Sequence, residues 1–357
     1  MGIHFDKTRM EKVIDSHELW WNKRLNRPLV KGTVLHAYAP SHTAEAPFPT
    51  QANSTDLSRT PEQVIDAWDA NLSTQEYVAD GYPYVNFDVF GPGVVAAFCG
   101  SKIDNSTGRI WFMPVSDDIS QIHVQYDPEN VWSRRIKALY KAGLERWNGS
   151  VIMGFPDLGG VLDILASLYG SENLLIALLD EPEEVHRLIG EIETAWNAAY
   201  DDFAQILAPQ GAYTDWNGIL SRTPGYITQC DFAYMISPDM FREFALDTLR
   251  KDTEKLSNVI YHLDGIGELV HLDMLLGIEK LKAVQWVPGD GKPGTMHWLD
   301  VYKRILNAGK QIMIKTNAMT NHFLDVADQL HCSPYSILTV DPAEHDPNDV
   351  QRILDRL

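Results

Sequence analysis

The chain has 357 residues, of which 45% are hydrophobic and 22% charged, a composition typical of a globular enzyme. Its formal net charge of −19 argues against a nucleic-acid partner, because proteins that bind phosphate backbones present basic surfaces. No apolar run is long enough to span a bilayer, so we expect no membrane association. Three widely spaced cysteines and a first segment without a signal-peptide pattern lead us to expect reduced thiols and a cytoplasmic location.

Short runs rich in β-branched and aromatic residues recur along the chain and predict eight strands. Helical patterns lie between most of them; the helix after Thr60, for example, starts with proline, whose backbone angle is already helical. Eight strands that each lead toward a helix are the layout of a (β/α)8 barrel, so we predict a single-domain α/β protein with a TIM-barrel fold. The predicted strands cover 32–38, 84–89, 151–155, 212–216, 259–264, 283–287, 312–316 and 336–340.

Three segments do not fit this repeat. Residues 1–30 form an N-terminal extension, and residues 41–58, rich in Ser, Thr, Ala and Pro, predict a long surface loop. Residues 91–140 contain further strand-like runs at 94–98 and 110–114 and predict an insertion after the second strand. Because that loop lies on the catalytic face of a barrel, we expect the insertion to cover part of the mouth.

The most informative stretch is Val-Ile-Tyr-His-Leu-Asp-Gly at 259–265. Alternate residues of a strand point the same way, so His262 and Asp264 share one direction, and Gly265 allows the chain to turn away. At the carboxyl end of a barrel strand, these two side chains are candidates for catalysis or metal binding. The alternative is that His262 packs in the core and Asp264 caps the next helix.

Other polar side chains fall at the ends of the predicted strands, and would converge on one rim. Carboxylates with one histidine suit a divalent metal or a general acid–base pair, although aspartates also cap the helices of such loops. Asp88 and Asp215 are candidate catalytic residues beside His262 and Asp264. The candidate substrate-binding residues are Asp157, Trp216, Gln285, Lys315 and Trp286, whose ring would offer a flat wall. Asp341, at the end of the eighth strand, is a candidate third metal ligand.

In combination, several short motifs resemble those of the uroporphyrinogen decarboxylase superfamily. The resemblance runs from about the second strand to the C-terminus, and it implies a TIM barrel. The superfamily also contains zinc-dependent methyltransferases that move methyl groups between corrinoid proteins and thiols. The matching motifs are Gly154-Phe155-Pro156, Leu168-Tyr169-Gly170, Asp180-Glu181-Pro182-Glu183-Glu184-Val185, Asp231-Phe232, Ile236-Ser237-Pro238-Asp239-Met240-Phe241 and His262-Leu263-Asp264-Gly265.

The departures from the family motifs favour the methyltransferase branch. The arginine-containing Gln-Ala-Gly-Arg segment of the decarboxylases is missing from residues 20–28, and Val340-Asp341-Pro342 stands where they have Gly-His-Gly. The methyltransferases place His-x-Cys at the end of strand five and a further cysteine after strand eight. By this resemblance His262 matches, Asp264 replaces the first cysteine, and Asp341 falls near the second. Zinc accepts His and carboxylate ligands, so these three residues predict a zinc site.

Exchange of thiolates for carboxylates makes a bound metal more Lewis-acidic, and so favours an oxygen-bearing substrate such as a methoxylated aromatic ether. The leading hypothesis is a methyltransferase-like enzyme in which a metal or an acid at His262 and Asp264 activates a small-molecule substrate. A corrinoid on a separate partner protein would accept the methyl group, since the chain has no corrinoid-binding motif of its own. The alternatives are a metal-free decarboxylase or lyase that uses Asp88 and Asp215, and a non-catalytic small-molecule-binding barrel. The sequence does not indicate the oligomeric state.

Overall fold

The fold is described by a computed structural model that covers residues 2–316, residues 320–340 and residue 355. It is a mixed α/β structure in which helices alternate with mostly parallel strands, as the sequence predicts. The strands are β1 (Leu29–Val34), β2 (Glu76–Ala79), β3 (Tyr84–Val85), β4 (Lys102–Asp104), β5 (Trp111–Met113), β6 (Ile152–Met153), β7 (Gly225–Gln229), β8 (Asn258–Asp264), β9 (Ala283–Val287), β10 (Gln311–Thr316) and β11 (Ser336–Val340).

Twelve α-helices and several 3₁₀ turns connect these strands within the described ranges. Their ends follow local signals: Thr60 and Gln63 form a reciprocal capping box at the start of α2, and Ser237 caps α8 just before a proline. The helices are α1 (Lys7–Trp21), α2 (Pro61–Leu72), α3 (Val95–Phe98), α4 (Val131–Trp147), α5 (Val161–Tyr169), α6 (Ser171–Asp180), α7 (Pro182–Leu207), α8 (Pro238–Phe244), α9 (Leu246–Lys255), α10 (Leu272–Leu276), α11 (Leu299–Asn307) and α12 (Thr320–Leu330).

Seven strands form one sheet in the order β2-β1-β11-β10-β9-β8-β7. β2 pairs antiparallel to β1, and all the other neighbouring strands are parallel. Parallel strands leave all their carboxyl ends at one edge, which is where ligands bind in α/β proteins. The sheet therefore brings the ends of β1 and β7–β11 to one rim.

The predicted closed barrel is not found as a continuous ring of strands in the part of the chain described. β3 and β6 pair with each other in a separate two-stranded sheet, and no ladder joins them to β1 or β7. Both strands are only two residues long, and Pro83 and Pro156 lie close to them. Proline has no N–H to donate to a ladder, so these segments make scattered hydrogen bonds instead of continuous pairing.

The predicted fourth strand, 212–216, is wrong, and β7 takes its place beside β8. The Asp215 carboxylate accepts a hydrogen bond from the Asn217 N–H, and the Asn217 side chain accepts one from the Ile219 N–H. Side chains that bond the backbone two residues ahead favour turns over strands. The chain therefore folds back at Gly218, and Tyr213 meets Ser221 in an isolated antiparallel bridge.

The N-terminal extension closes the amino-terminal side of the sheet. Trp20 and Trp21, at the end of α1, are buried in a cluster with Ile227, Ile260 and other side chains from the first halves of the strands. The Trp21 indole N–H donates to the Leu220 carbonyl at 2.8 Å. Solvent is thereby excluded from this side of the sheet, which leaves the carboxyl-end rim as the open side.

The segment predicted as an insertion, 91–140, contains three different structures. Its first strand-like run is wrong, because Val95–Phe98 is the short helix α3. Its second run is confirmed as β5, which pairs with β4 in a hairpin. The rest includes the first half of α4, which packs against α2 and α7.

Candidate functional site

His262 and Asp264 end β8, and the structure brings their side chains together as the strand period predicts. The distance from His262 Nε2 to Asp264 Oδ2 is 3.7 Å. The His262 side chain is 13% exposed and that of Asp264 42% exposed, so the pair borders solvent at the rim. The alternative of a helix cap does not hold for Asp264, since the 3₁₀ turn Ile266–His271 starts without a side-chain cap.

A row of side chains across the sheet fixes the His262 ring. The backbone register aligns Gln229, His262, Gln285 and Met313 on four neighbouring parallel strands, and aligned residues point the same way. His262 Nδ1 is hydrogen-bonded to Gln285 Oε1, while the Gln285 amide N–H donates to the Met313 sulfur at 3.5 Å. With Nδ1 as the donor to Gln285, Nε2 is the nitrogen that faces Asp264 and the rim.

The charges around His262 favour its protonated form. Burial opposes protonation, but the carboxylates of Asp264 and Asp231 and the bond to Gln285 outweigh it and raise the pKa of His262. At 3.7 Å the contact with Asp264 is longer than a good hydrogen bond, so we attribute its effect to charge attraction. The ring is therefore held as an imidazolium over a wider pH range than a free histidine.

Asp231 belongs to this site, although sequence reasoning included it only in a family motif. It follows β7, and the Asp163 carboxylate orients the turn by accepting from the N–H groups of Asp231 and Phe232 at 3.1 and 2.7 Å. Asp231 is accessible to solvent, yet the surrounding protein displaces enough bulk water to raise the pKa of its carboxyl to about 6, and His262 opposes this rise. The sequence signal for Asp231 is its place in the Asp231-Phe232 family motif.

Asp88 and Asp157 form a second carboxyl pair that borders the site. The Asp157 backbone N–H donates to the Asp88 carboxylate at 3.2 Å. Burial, reinforced by the Asp157 charge, raises the pKa of Asp88 well above its usual value. Burial also raises the pKa of Asp157 to about 6, against the N–H groups of Gly159 and Gly93 and the charge of His262. Asp157 thus caps its own loop, as the capping alternative predicted, and also lies within electrostatic reach of His262.

Asp215 lies in a different environment from that predicted. Because 212–216 is not a strand, Asp215 does not end one; it is 3% exposed and accepts from the backbone N–H groups of Asn217 and Ile227. Burial raises its pKa to about 7, and the buried Lys31 opposes that rise. Asp215 therefore has a structural role, because its carboxylate accepts hydrogen bonds from one turn amide and one strand amide. Its neighbour Trp216, in contrast, stands edge-on to His262 with ring centroids 5.1 Å apart.

The remaining candidates lie further along the sheet. Trp286 alternates with Gln285 on β9 and so projects from the other face, where it is 1% exposed and packs edge-on against Trp298. Lys315 lies in β10, where its backbone is in register with Thr339. Asp341 lies outside the described residues, so its predicted place as a third metal ligand stays a prediction.

A cavity of about 500 Å³ opens at the carboxyl end of β9, directly beside Asp264. Asp264 and Val287 line this cavity together with a glycine- and proline-rich loop, 288–294. Cavities of this volume are within the usual range for small-molecule sites. This cavity therefore provides room for a substrate next to the His262–Asp264 pair.

A zinc ion fits poorly among the described side chains. Catalytic zinc needs three protein ligands, and within the described ranges no group of three or more His, Cys, Asp or Glu side chains is arranged to hold a metal. His262 and Asp264 supply two donors, and Nδ1 of His262 is already bonded to Gln285. The described residues fit an acid–base pair better than a metal centre.

Comparison with solved structures shows a shared fold with an enzyme. The chain is similar to a methyltransferase from Methanosarcina mazei, with a TM-score of 0.59 over 98% of this chain and 97% of that one, at 12% sequence identity. Comparisons with protein-family models and with curated proteins find no match. Among the described residues no single helix is both long and apolar enough to cross a membrane; α5 and α6 satisfy length and composition only together, across a bend of 107°. The fold is thus one that a methyltransferase uses.

Proposed function

We propose that the protein is a methyltransferase related to the uroporphyrinogen decarboxylase superfamily, and that it removes a methyl group from a small oxygen-bearing substrate. The observation that supports this proposal best is the state of His262. Gln285 holds its Nδ1, while carboxylates raise its pKa and its Nε2 faces the rim beside a substrate-sized cavity. A positioned imidazolium is a general acid for a leaving oxygen.

The chemical step needs such an acid because an alkoxide or phenoxide is a poor leaving group. The bond between the ether oxygen and the methyl carbon breaks as the methyl carbon bonds to an incoming nucleophile. The electron pair of the broken bond stays on the oxygen, which takes the proton from His262 Nε2. Asp264 and Asp231 then favour return of a proton to the ring, so that the acid is restored.

The methyl acceptor in this proposal is a corrinoid on a separate partner protein, whose reduced cobalt would supply the electron pair of the incoming nucleophile. The position of the site on an open rim, with Asp231 and Asp264 accessible to solvent, supports approach by a partner. We propose an acid at His262 in place of the zinc site predicted from the sequence, because within the described residues only His262 and Asp264 of the predicted ligands meet, while Asp341 lies outside those residues.

The metal-free decarboxylase alternative has less support. Asp215, one of its two predicted catalytic residues, is buried and occupied by backbone amides. The nearby Lys31 is itself buried and donates to the Asn217 carbonyl at 2.6 Å, so it does not face solvent as a group that holds the carboxylates of a substrate would. The non-catalytic alternative predicts binding without turnover.

The test is methyl transfer from methoxyarenes to cob(I)alamin, a free corrinoid that replaces the unidentified partner, followed by the absorbance of the methylated product. We expect turnover by the wild type and by His186→Gln, a matched control on the exposed surface of α7, and loss of turnover in His262→Gln. Metal analysis accompanies the assay. If zinc binds stoichiometrically to the wild type and is lost in His262→Gln, then His262 is a metal ligand and not the acid. Equal turnover by His262→Gln and His186→Gln would overturn the proposal.

A further inference from the structure

We infer that the cavity beside Asp264 is a binding site for an aromatic ring that carries an oxygen substituent, which makes the substrate an aryl ether or a closely related arene. This inference rests on the proposed function for the chemistry at His262, but it concerns a separate set of residues. The walls of the cavity are formed by Trp286, Trp298 and Tyr302 together with Thr295. None of the last three was singled out as a site residue from the sequence.

The aromatic side chains give the cavity its selectivity. Trp286 and Trp298 stand edge to face with ring centroids 5.2 Å apart, which leaves an aromatic corner at the base of the cavity. Aromatic pairs prefer this geometry or an offset stack, and a third ring can extend either arrangement. Tyr302, on α11, forms the adjoining wall and is 2% exposed. A flat ring therefore finds more favourable contacts here than a saturated one.

Two buried polar groups in the same walls lack partners. Trp286 Nε1 and Thr295 Oγ1 make no hydrogen bond within the described structure, although Trp286 is 1% exposed and Thr295 9% exposed. A buried donor without a partner costs free energy, so such groups are expected to meet a partner in the working protein. The indole N–H can only donate, and a hydroxyl can donate or accept. Both are satisfied by an oxygen substituent on the ligand.

One of these aromatic residues, Trp298, also holds the loop 288–294 that lines the cavity. The Trp298 indole N–H donates to the Pro293 carbonyl at 2.9 Å, which ties the loop to the start of α11. Gly289 and Gly291 adopt positive φ angles of 96° and 71°, which residues with a side chain rarely adopt. Among the described residues, Asp264 is the carboxylate that borders both the cavity and His262, so a ring bound here would lie next to the proposed acid.

The test is direct binding, measured by calorimetry on the full chain without a methyl acceptor. The probes are guaiacol (2-methoxyphenol), anisole and the saturated control methoxycyclohexane. We expect guaiacol and anisole to bind at least about tenfold more tightly than methoxycyclohexane. Trp298→Leu should lose about tenfold in affinity for both arenes, whereas Trp298→Phe, which keeps a ring, should lose about threefold.

Thr295→Val, which changes shape little, should weaken the binding of both guaiacol and anisole by several-fold, because it removes the hydroxyl that would pair with their oxygen substituents. His186→Gln, on the exposed surface of α7, should bind both arenes like the wild type. Equal affinity for arenes and methoxycyclohexane, or unchanged binding in Trp298→Leu, would overturn the inference whatever the enzyme does. Ring-selective binding without any methyl transfer would uphold it and reject the proposed function instead.

Discussion

Two histidines, the buried His17 and the half-buried His262, lie at opposite ends of the sheet and show how differently the fold uses the same residue. His17 lies on α1, at the closed side, and His262 lies on β8, at the open rim. Each has an aspartate close by: Asp80 beside His17 and Asp264 beside His262. Yet the pKa of His17 is lowered to about 4, whereas that of His262 is raised.

The difference comes first from burial, which is complete for His17 and lowers its pKa, and then from what the two ring nitrogens contact. His17 is fully buried; its Nδ1 accepts from the Leu220 N–H at 2.9 Å, and its Nε2 N–H donates to the Asp80 backbone carbonyl at 3.3 Å. The Asp80 carboxylate is already occupied by Arg27 and the Val30 N–H. A ring with both nitrogens satisfied as the neutral form resists protonation.

His262 has one satisfied nitrogen and one that faces carboxylates and solvent. Among the described residues no lysine or arginine forms an ion pair with Asp231 or Asp264, and their charge acts on the ring. A buried histidine therefore indicates function only when one nitrogen is open and its charged neighbours lack other partners. Variants at His262 and at His17 test this conclusion.

The largest expected effect is on catalysis at the open rim. His262→Gln should lower kcat for methyl transfer from an aryl ether by about 100-fold to 1,000-fold, the usual contribution of a general acid. The same variant should have little effect on a methyl sulfonium donor, whose leaving thioether needs no proton. Rates with the two donors measure this contrast. A similar loss with both donors would mean that His262 positions the substrate and does not donate a proton.

The second effect is on stability at the closed side. Because the unfolded state protonates His17 near pH 6.5 and the folded state only near pH 4, stability is full above pH 6.5 and falls as the pH drops from 6.5 toward 4. This one group should cost about 3 kcal/mol across that interval. Urea unfolding of His17→Gln at pH 7 and pH 4.5 should show a smaller acid loss than wild type. An identical acid loss would mean that other groups dominate.

The sequence was sufficient for the part of the site that depends on local periodicity. His262 and Asp264 are two residues apart in one strand, so their meeting follows from the strand period alone. The same holds for strands with a continuous apolar pattern: β9 and β11 have the predicted bounds, 283–287 and 336–340. The place of Asp215 also has a local cause. The pattern Asp-Trp-Asn-Gly at 215–218 is typical of a turn, and it outweighs the strand predicted at 212–216.

The rest depends on contacts between distant segments, which have no local signal. Gln285 holds His262 because β8 and β9 pair with one particular register, and a shift by one residue would turn Gln285 to the other face. Asp231 joins the site because Asp163, 68 residues earlier, orients its turn. Likewise, the ring of strands does not close within the described residues because β3 and β6 pair over only two residues. Their apolar sequences do not indicate such short pairing.

A smaller effect is expected on the pH dependence of kcat when Asp264 loses its charge but keeps its shape. Asp264→Asn removes a carboxylate that raises the pKa of His262. Since the protonated ring is the acid, activity falls as the pH rises through that pKa. The alkaline limb of the kcat profile should therefore move to lower pH. A limb that stays in place would show that Asp231 or a substrate group sets the charge of His262.

The smallest expected effect concerns Gln285 as a positioning residue. Gln285→Leu removes the acceptor for His262 Nδ1, so kcat should fall about tenfold through loss of ring alignment, and the alkaline limb should move slightly to lower pH. Gln285→Glu places a carboxylate at Nδ1 and should move the limb to higher pH.

Gln229→Leu is the matched control: Gln229 lies in the same row on the other side of His262, and its side-chain oxygen has no hydrogen-bond partner in the described structure. If Gln229→Leu shifts the limb as much as Gln285→Leu does, the shift reports general loss of polarity in the row and Gln285 has no special role. Opposite shifts in Gln285→Leu and Gln285→Glu, with an unmoved limb in Gln229→Leu, would show that the open state of Nε2 depends on how Nδ1 is held.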